Sequence, residues 1–130
     1  MKIALDIHGT IDDRPKLFSI LTMILKALSI EIHITTGIPD TLALRHQLDD
    51  WGIRYDKVFS ITDYHISIGT YMEWDERGPW IEEDIWNRTK ANYCIKNEID
   101  LTIDNSTEYG EYFKTPFLLY KGSSNEKEKD

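Results

Sequence analysis

Short apolar runs and longer segments with helical periodicity alternate along this chain. Residues 2 to 7, KIALDI, have strand length, and residues 15 to 29 then carry Leu17, Ile20, Leu21, Ile24, Leu25 and Leu28 along one helix face. Pro15 suits a first helical position, with Asp12 or Asp13 ahead of it as a cap. EIHITT (31 to 36) predicts a second strand, and residues 39 to 52 a second helix opened by Pro39 and Asp40 and stopped at Gly52. KVFSIT (57 to 62) predicts a third strand, whereas residues 63 to 80 fit a hairpin or an irregular loop. A helix over 81 to 97, a strand over 100 to 104, a turn or short helix, and a last strand over 116 to 120 complete the series, with no internal repeat.

Strands alternating with helices predict a three-layer α/β/α, Rossmann-like fold around a central parallel sheet of about five strands. Residues 1 to 121 make one domain, and the polar, charged end from 122 to 130 predicts a frayed tail. In such sheets ligands bind beyond the carboxyl ends of the strands, where strand order reverses. Asp6 and His8 close the first strand, Thr35 and Thr36 the second, and Asp104 and Asn105 the fourth. Polar groups from three strands therefore meet at one rim.

Composition narrows the choices. No apolar run approaches the roughly 18 residues of a membrane span, and the opening MKIALDI, broken by Asp6 and lacking a small-residue cleavage site, reads as a buried strand. The one cysteine, Cys94, excludes an internal disulfide and a cysteine-based zinc site, so a reducing cytoplasm is the expected location. A net charge of −8 argues against gripping a nucleic-acid backbone. It still admits a phosphorylated ligand if a divalent cation lies between.

Four short motifs, in chain order, resemble those of the haloacid dehalogenase-like superfamily. DIHGTID stands for the family's Asp-x-Asp-Gly-Thr after the first strand, and IHITTG for the Ser or Thr that ends the second, with Thr36 before Gly37 the better fit and Thr35 the alternative. RTKANYC offers Lys90 as the motif lysine, with Lys96 competing, and LTIDNSTEYG matches the acidic cluster after the fourth strand. The resemblance covers nearly the whole chain. It implies a HAD-like fold and a Mg²⁺-dependent phosphohydrolase acting on a phosphorylated small molecule or an exposed phosphoryl group. Asp6 would attack phosphorus; Asp6, the carbonyl of His8, Asp104, Asn105 and Glu108 would hold the metal; and Thr36, Gly37 and Lys90 would bind the phosphoryl oxygens.

Two positions depart from the family pattern. His8 replaces the aspartate that protonates the leaving group and then deprotonates water, work a histidine with an unperturbed pKa near ~6.5 can also do. Asn105 replaces a common second aspartate, and its amide oxygen can still ligate. The alternatives left open are a catalytically impaired domain that binds a phosphorylated ligand or nucleotide, and a phosphotransferase. In the family a cap domain follows either the first motif or the third strand; only Ile11 to Arg14 follow Thr10, and residues 63 to 80 are too few, so a full cap is absent. The open site suits a large or extended substrate and is compatible with a homodimer.

The remaining residues have ordinary readings. His33 reads as a strand residue, His46 as solvated and Cys94 as core, while His65 follows the third strand and comes near the rim only as a second reading. Trp74, Trp80 and Trp86 suit core or dimer packing first, and stacking on a substrate ring second.

Overall fold

The computed structural model describes residues 1–123. Its strands are β1 (Lys2–Asp6), β2 (Glu31–Thr36), β3 (Lys57–Ser60), β4 (Glu73–Asp75), β5 (Gly78–Trp80), β6 (Leu101–Asp104) and β7 (Phe117–Leu119). Its helices are α1 (Pro15–Ala27), α2 (Leu42–Asp50), α3 (Ile61–Ile68), α4 (Glu83–Lys96) and α5 (Thr107–Gly110). Five strands form one sheet in the order β3-β2-β1-β6-β7, every neighbouring pair parallel, while β4 and β5 stand apart as an antiparallel hairpin. This is the expected α/β architecture, with helices flanking the central sheet. Residues 61–80 hold only α3 and the hairpin, so no folded cap interrupts it. No described helix is long and apolar enough to cross a membrane.

Strand alternation makes the two faces of the sheet chemically different. Ile3 and Leu5 of β1, Ile32 and Ile34 of β2, and Ile103 of β6 pack with Phe18 of α1 and Leu44 and Leu48 of α2 into the main apolar core. One residue out of step, the opposite face carries Ala4 and Asp6, His33 and Thr35, and Thr102 and Asp104, which the register sets side by side. That face meets α4: Ala4 packs on Cys94, His33 Nδ1 lies 2.7 Å from the Tyr93 hydroxyl, and Thr102 touches the Cys94 thiol.

Capping side chains move several boundaries away from those the sequence predicts. α2 begins at Leu42 because the Thr41 hydroxyl accepts from Leu44 N, whereas Asp40 turns to the Arg45 guanidinium through two bonds of 2.9 and 2.8 Å. The third strand stops at Ser60 and does not run on to residue 62. Ser60 Oγ accepts from Asp63 N, which opens α3 where a hairpin or irregular loop was expected, and Gly69 at φ 74° ends that helix. The hairpin expectation itself is met farther along, at residues 73–80. At the carboxyl end Gly122 is buried and the Ser123 hydroxyl donates to Asp13, so the first two residues of the expected tail are held against the domain; residues 124–130 lie outside the described residues.

Candidate functional site

The site grows from the carboxyl end of β1. A tight turn, Ile7–Ile11, follows Asp6 and is closed by Asp12 N donating to the Ile7 carbonyl. Gly9 sits in the left-handed region at φ 81°, and a Cβ there would collide with the Asn105 side chain, so the turn and its neighbour both require glycine. Thr10 donates its hydroxyl to Asp6 Oδ2 at 3.3 Å.

From the facing layer, α4 presents Lys90. Its ammonium donates to Asp6 Oδ1 at 2.8 Å and to Asp104 Oδ2 at 2.9 Å, and none of the three residues is more than 5% exposed. The remaining Asp104 oxygen, Oδ1, accepts from Ser106 N at 3.0 Å. Burial pushes the Asp6 carboxyl up to about 6, helped by the neighbouring Asp104 and opposed by the pull of Lys90. The same burial disfavours the Lys90 ammonium, but the two carboxylates outweigh it and hold the lysine firmly protonated. The Lys90 ammonium also lies 4.8 Å from the centre of the Tyr109 ring, within cation–π range. Two buried carboxylates against one ammonium leave the triad one charge negative.

One point of the site offers candidate oxygen donors for a hard divalent cation. The terminal amide position of Asn105 lies 2.9 Å from the His8 carbonyl oxygen and 3.0 Å from Asp6 Oδ2. With nitrogen there, Asn105 donates to both. With oxygen there, three oxygens from three different groups converge, the kind of ligand Mg²⁺ takes. Among the described residues no cluster of three or more His, Cys, Asp or Glu side chains is arranged to hold a metal. The candidate set therefore rests on one carboxylate, a backbone carbonyl and an amide. Asp104, the other expected carboxylate ligand, accepts from Lys90 at Oδ2 and from Ser106 N at Oδ1, and each oxygen keeps a lone pair with which it could ligate.

A cavity of about 400 Å³ opens beside the triad, lined by Asp6, Lys90, His8 and Asn105 and also by Gly37, Arg77 and Trp86. Gly37 is glycine for a packing reason, because a Cβ would come within 2.8 Å of the Trp86 ring. The Trp86 indole N–H donates to the Tyr109 hydroxyl at 2.8 Å, which fixes that wall. The His8 side chain is 61% exposed at the rim, with Nδ1 3.3 Å from Asp12 Oδ2, and the other Asp12 oxygen accepts from Gly9 N at 2.7 Å. Asp12 thus props the histidine, a role the sequence reading missed by treating it as a helix cap. Its spacing, four residues after His8, was the available signal.

Other expected residues fall elsewhere. Thr36 is wholly buried, and alternation puts it on the face opposite Asp6, where its hydroxyl accepts from Ile38 N. Thr35 is the register partner of Asp6 and shares its face, and its buried hydroxyl has no hydrogen-bond partner among the described residues. Glu108 is exposed on α5 and lines a separate acidic recess with Glu82 and Glu111, away from Asp6. Lys96, the competing lysine, is exposed. His65 turns away from the rim, its ring nitrogens 2.8 and 2.7 Å from the hydroxyls of Thr70 and Thr89. Trp86 alone of the three tryptophans lines the cavity, while Trp74 and Trp80 lie exposed on the hairpin.

No protein-family model matches this chain, and no curated protein matches it.

Proposed function

We propose that this protein is a Mg²⁺-dependent phosphohydrolase of the haloacid dehalogenase-like kind, with Asp6 as nucleophile, acting in the cytoplasm on a phosphorylated small molecule or an exposed phosphoryl group. One observation carries this reading: the buried Asp6–Lys90–Asp104 triad stands at the carboxyl ends of two central strands, beside a cavity that His8 also lines. Burying two carboxylates on one ammonium is costly for a fold, and such arrangements cluster where charge is used chemically.

The residues divide the work as follows. Lys90 holds Asp6 ionised and oriented, so that its carboxylate attacks phosphorus and forms an acyl phosphate while the bond to the leaving oxygen breaks. His8, with Nδ1 toward Asp12, keeps Nε2 for the reaction: it gives a proton to the departing alkoxide, then takes one from the water that attacks the acyl phosphate. Phosphate leaves and Asp6 is restored. Asp6, the His8 carbonyl and Asn105 would hold Mg²⁺, which when bound supplies charge neutralisation for the phosphoryl oxygens.

Phosphate release from a panel of phosphomonoesters, with Mg²⁺, tests this reading: activity is expected in the wild type and absent from Asp6→Asn. The exposure of His8 at the rim favours a second reading, a site that binds phosphate without turnover. That reading predicts saturable calorimetric binding and no product. A phosphotransferase would dephosphorylate the ester only when an acceptor alcohol is added, and the phosphoryl group would appear on that acceptor and not as free phosphate.

A further inference from the structure

The hairpin is an uncommitted element of this site. Its register pairs Asp75 with Gly78, so Glu76 and Arg77 form a two-residue loop at its tip. The tip is tied down: Arg77 N donates to Asp75 Oδ1 at 2.7 Å, and Gly78 supplies the positive φ of 118° that the turn needs. The tip sits over the site, since Arg77 and Pro79 line the same cavity as Asp6 and Lys90.

Charge makes Arg77 informative. Lys90, the other strong cation of this cavity, is spent on Asp6 and Asp104. Arg45 and Arg88 are tied to Asp40 and Asp84, and Arg14 stands beside Asp13; among the described residues no ion pair includes Arg54 or Arg77, but Arg54 donates to the Gly52 carbonyl and does not line this cavity, whereas Arg77 does. An arginine that overhangs this cavity with no carboxylate partner among the described residues, on a chain of net charge −8, has an open demand for negative charge. A guanidinium meets that demand best with a planar or multi-oxygen anion.

We infer that Arg77 selects the substrate: it binds a second anionic group, a carboxylate or a second phosphate, on a small phosphomonoester whose reacting phosphoryl group lies at Asp6. This inference rests on the phosphohydrolase reading, and the two can fail separately. The bis-anionic ligand spans the cavity from the triad to the hairpin tip. Specificity then resides in a hairpin standing where a cap domain is absent.

Two paired measurements in Mg²⁺ test it on wild type, Arg77→Ala and Arg77→Lys. The first compares phosphate release from 3-phosphoglycerate, a hexose bisphosphate and glycerol 3-phosphate. The second compares calorimetric binding of 3-phosphonopropionate, a propylene bisphosphonate and methylphosphonate, which needs no turnover. Wild type should favour the bis-anionic members by about tenfold or more, the weight of one charge-assisted pair. Arg77→Ala should collapse that ratio toward one, and Arg77→Lys should keep part of it. The stronger of the two bis-anionic arms identifies the second group. A wild-type ratio near one, a ratio that survives Arg77→Ala, or no binding and no release at all overturns the inference. A binding preference without any phosphate release sinks the hydrolase reading and leaves Arg77 standing as an anion selector.

Discussion

Leu5 and Asp6 are consecutive in β1, yet they belong to different economies of the molecule. Leu5 points to the face packed by α1 and α2, among isoleucines and leucines whose burial stabilises the fold. Asp6 points to the face covered by α4, where His33, Thr35, Thr102, Asp104 and Lys90 place polar and charged groups in a buried layer. One face of a single sheet maximises stability, and the other gives some of it up to hold charge next to a cavity. The apolar face would fold with many hydrophobic sets of similar volume. The polar face tolerates few substitutions, because removing any of its paired groups leaves a partner unsatisfied.

Adjacent substitutions break this comparison most sharply. Asp6→Asn is expected to lower phosphate release by about a thousandfold or more while the chain still folds, as loss of a covalent nucleophile does; circular dichroism beside the activity assay checks both halves. Lys90→Met should cost about 3–5 kcal/mol in urea unfolding, because it leaves two buried carboxylates without their counter-charge. Leu5→Ala should cost about 2–5 kcal/mol by opening a core cavity, yet keep activity per folded molecule. A Leu5→Ala protein that stays stable but loses turnover would abolish the division between the faces.

Smaller effects sharpen it. Asp12→Asn should lower kcat by about tenfold without changing the urea midpoint, since Asp12 acts by orienting His8 at the rim. His65 supplies a pH test away from the triad. Burial holds its imidazole below the ordinary 6.5, so on acidification the unfolded chain takes up the proton first. The contribution of His65 is full above about pH 6.5 and is lost as pH falls through its folded value. Urea midpoints between pH 7.5 and 5 should fall more steeply for wild type than for His65→Gln.

The same division explains what could be read from the sequence. The strands β1, β2, β3 and β6 and the helix α1 announce themselves through apolar runs and helical spacing, because they feed the apolar core. α4 turns Asn87, Thr89 and Lys90 inward, so no apolar stripe marks its buried side, and Lys90 was found through motif order alone. α3 was missed because ITDYHISI continues the β-branched run of KVFS, and only the Ser60 cap separates the two. Thr36 was preferred to Thr35 because the register that pairs Thr35 with Asp6 is set by tertiary contacts, not by local pattern. Arg77 carried no signal, since an isolated arginine in a polar turn looks like any solvated residue.

The most direct test of the central claim is acid-quenched mass spectrometry during turnover, with the substrate that gives the fastest phosphate release and with Mg²⁺ present. The account predicts a phosphoryl adduct on the peptide bearing Asp6 in the wild type, with its yield increased when His8→Ala slows hydrolysis of the acyl phosphate. Phosphate release that proceeds with no adduct and persists in Asp6→Asn would contradict it.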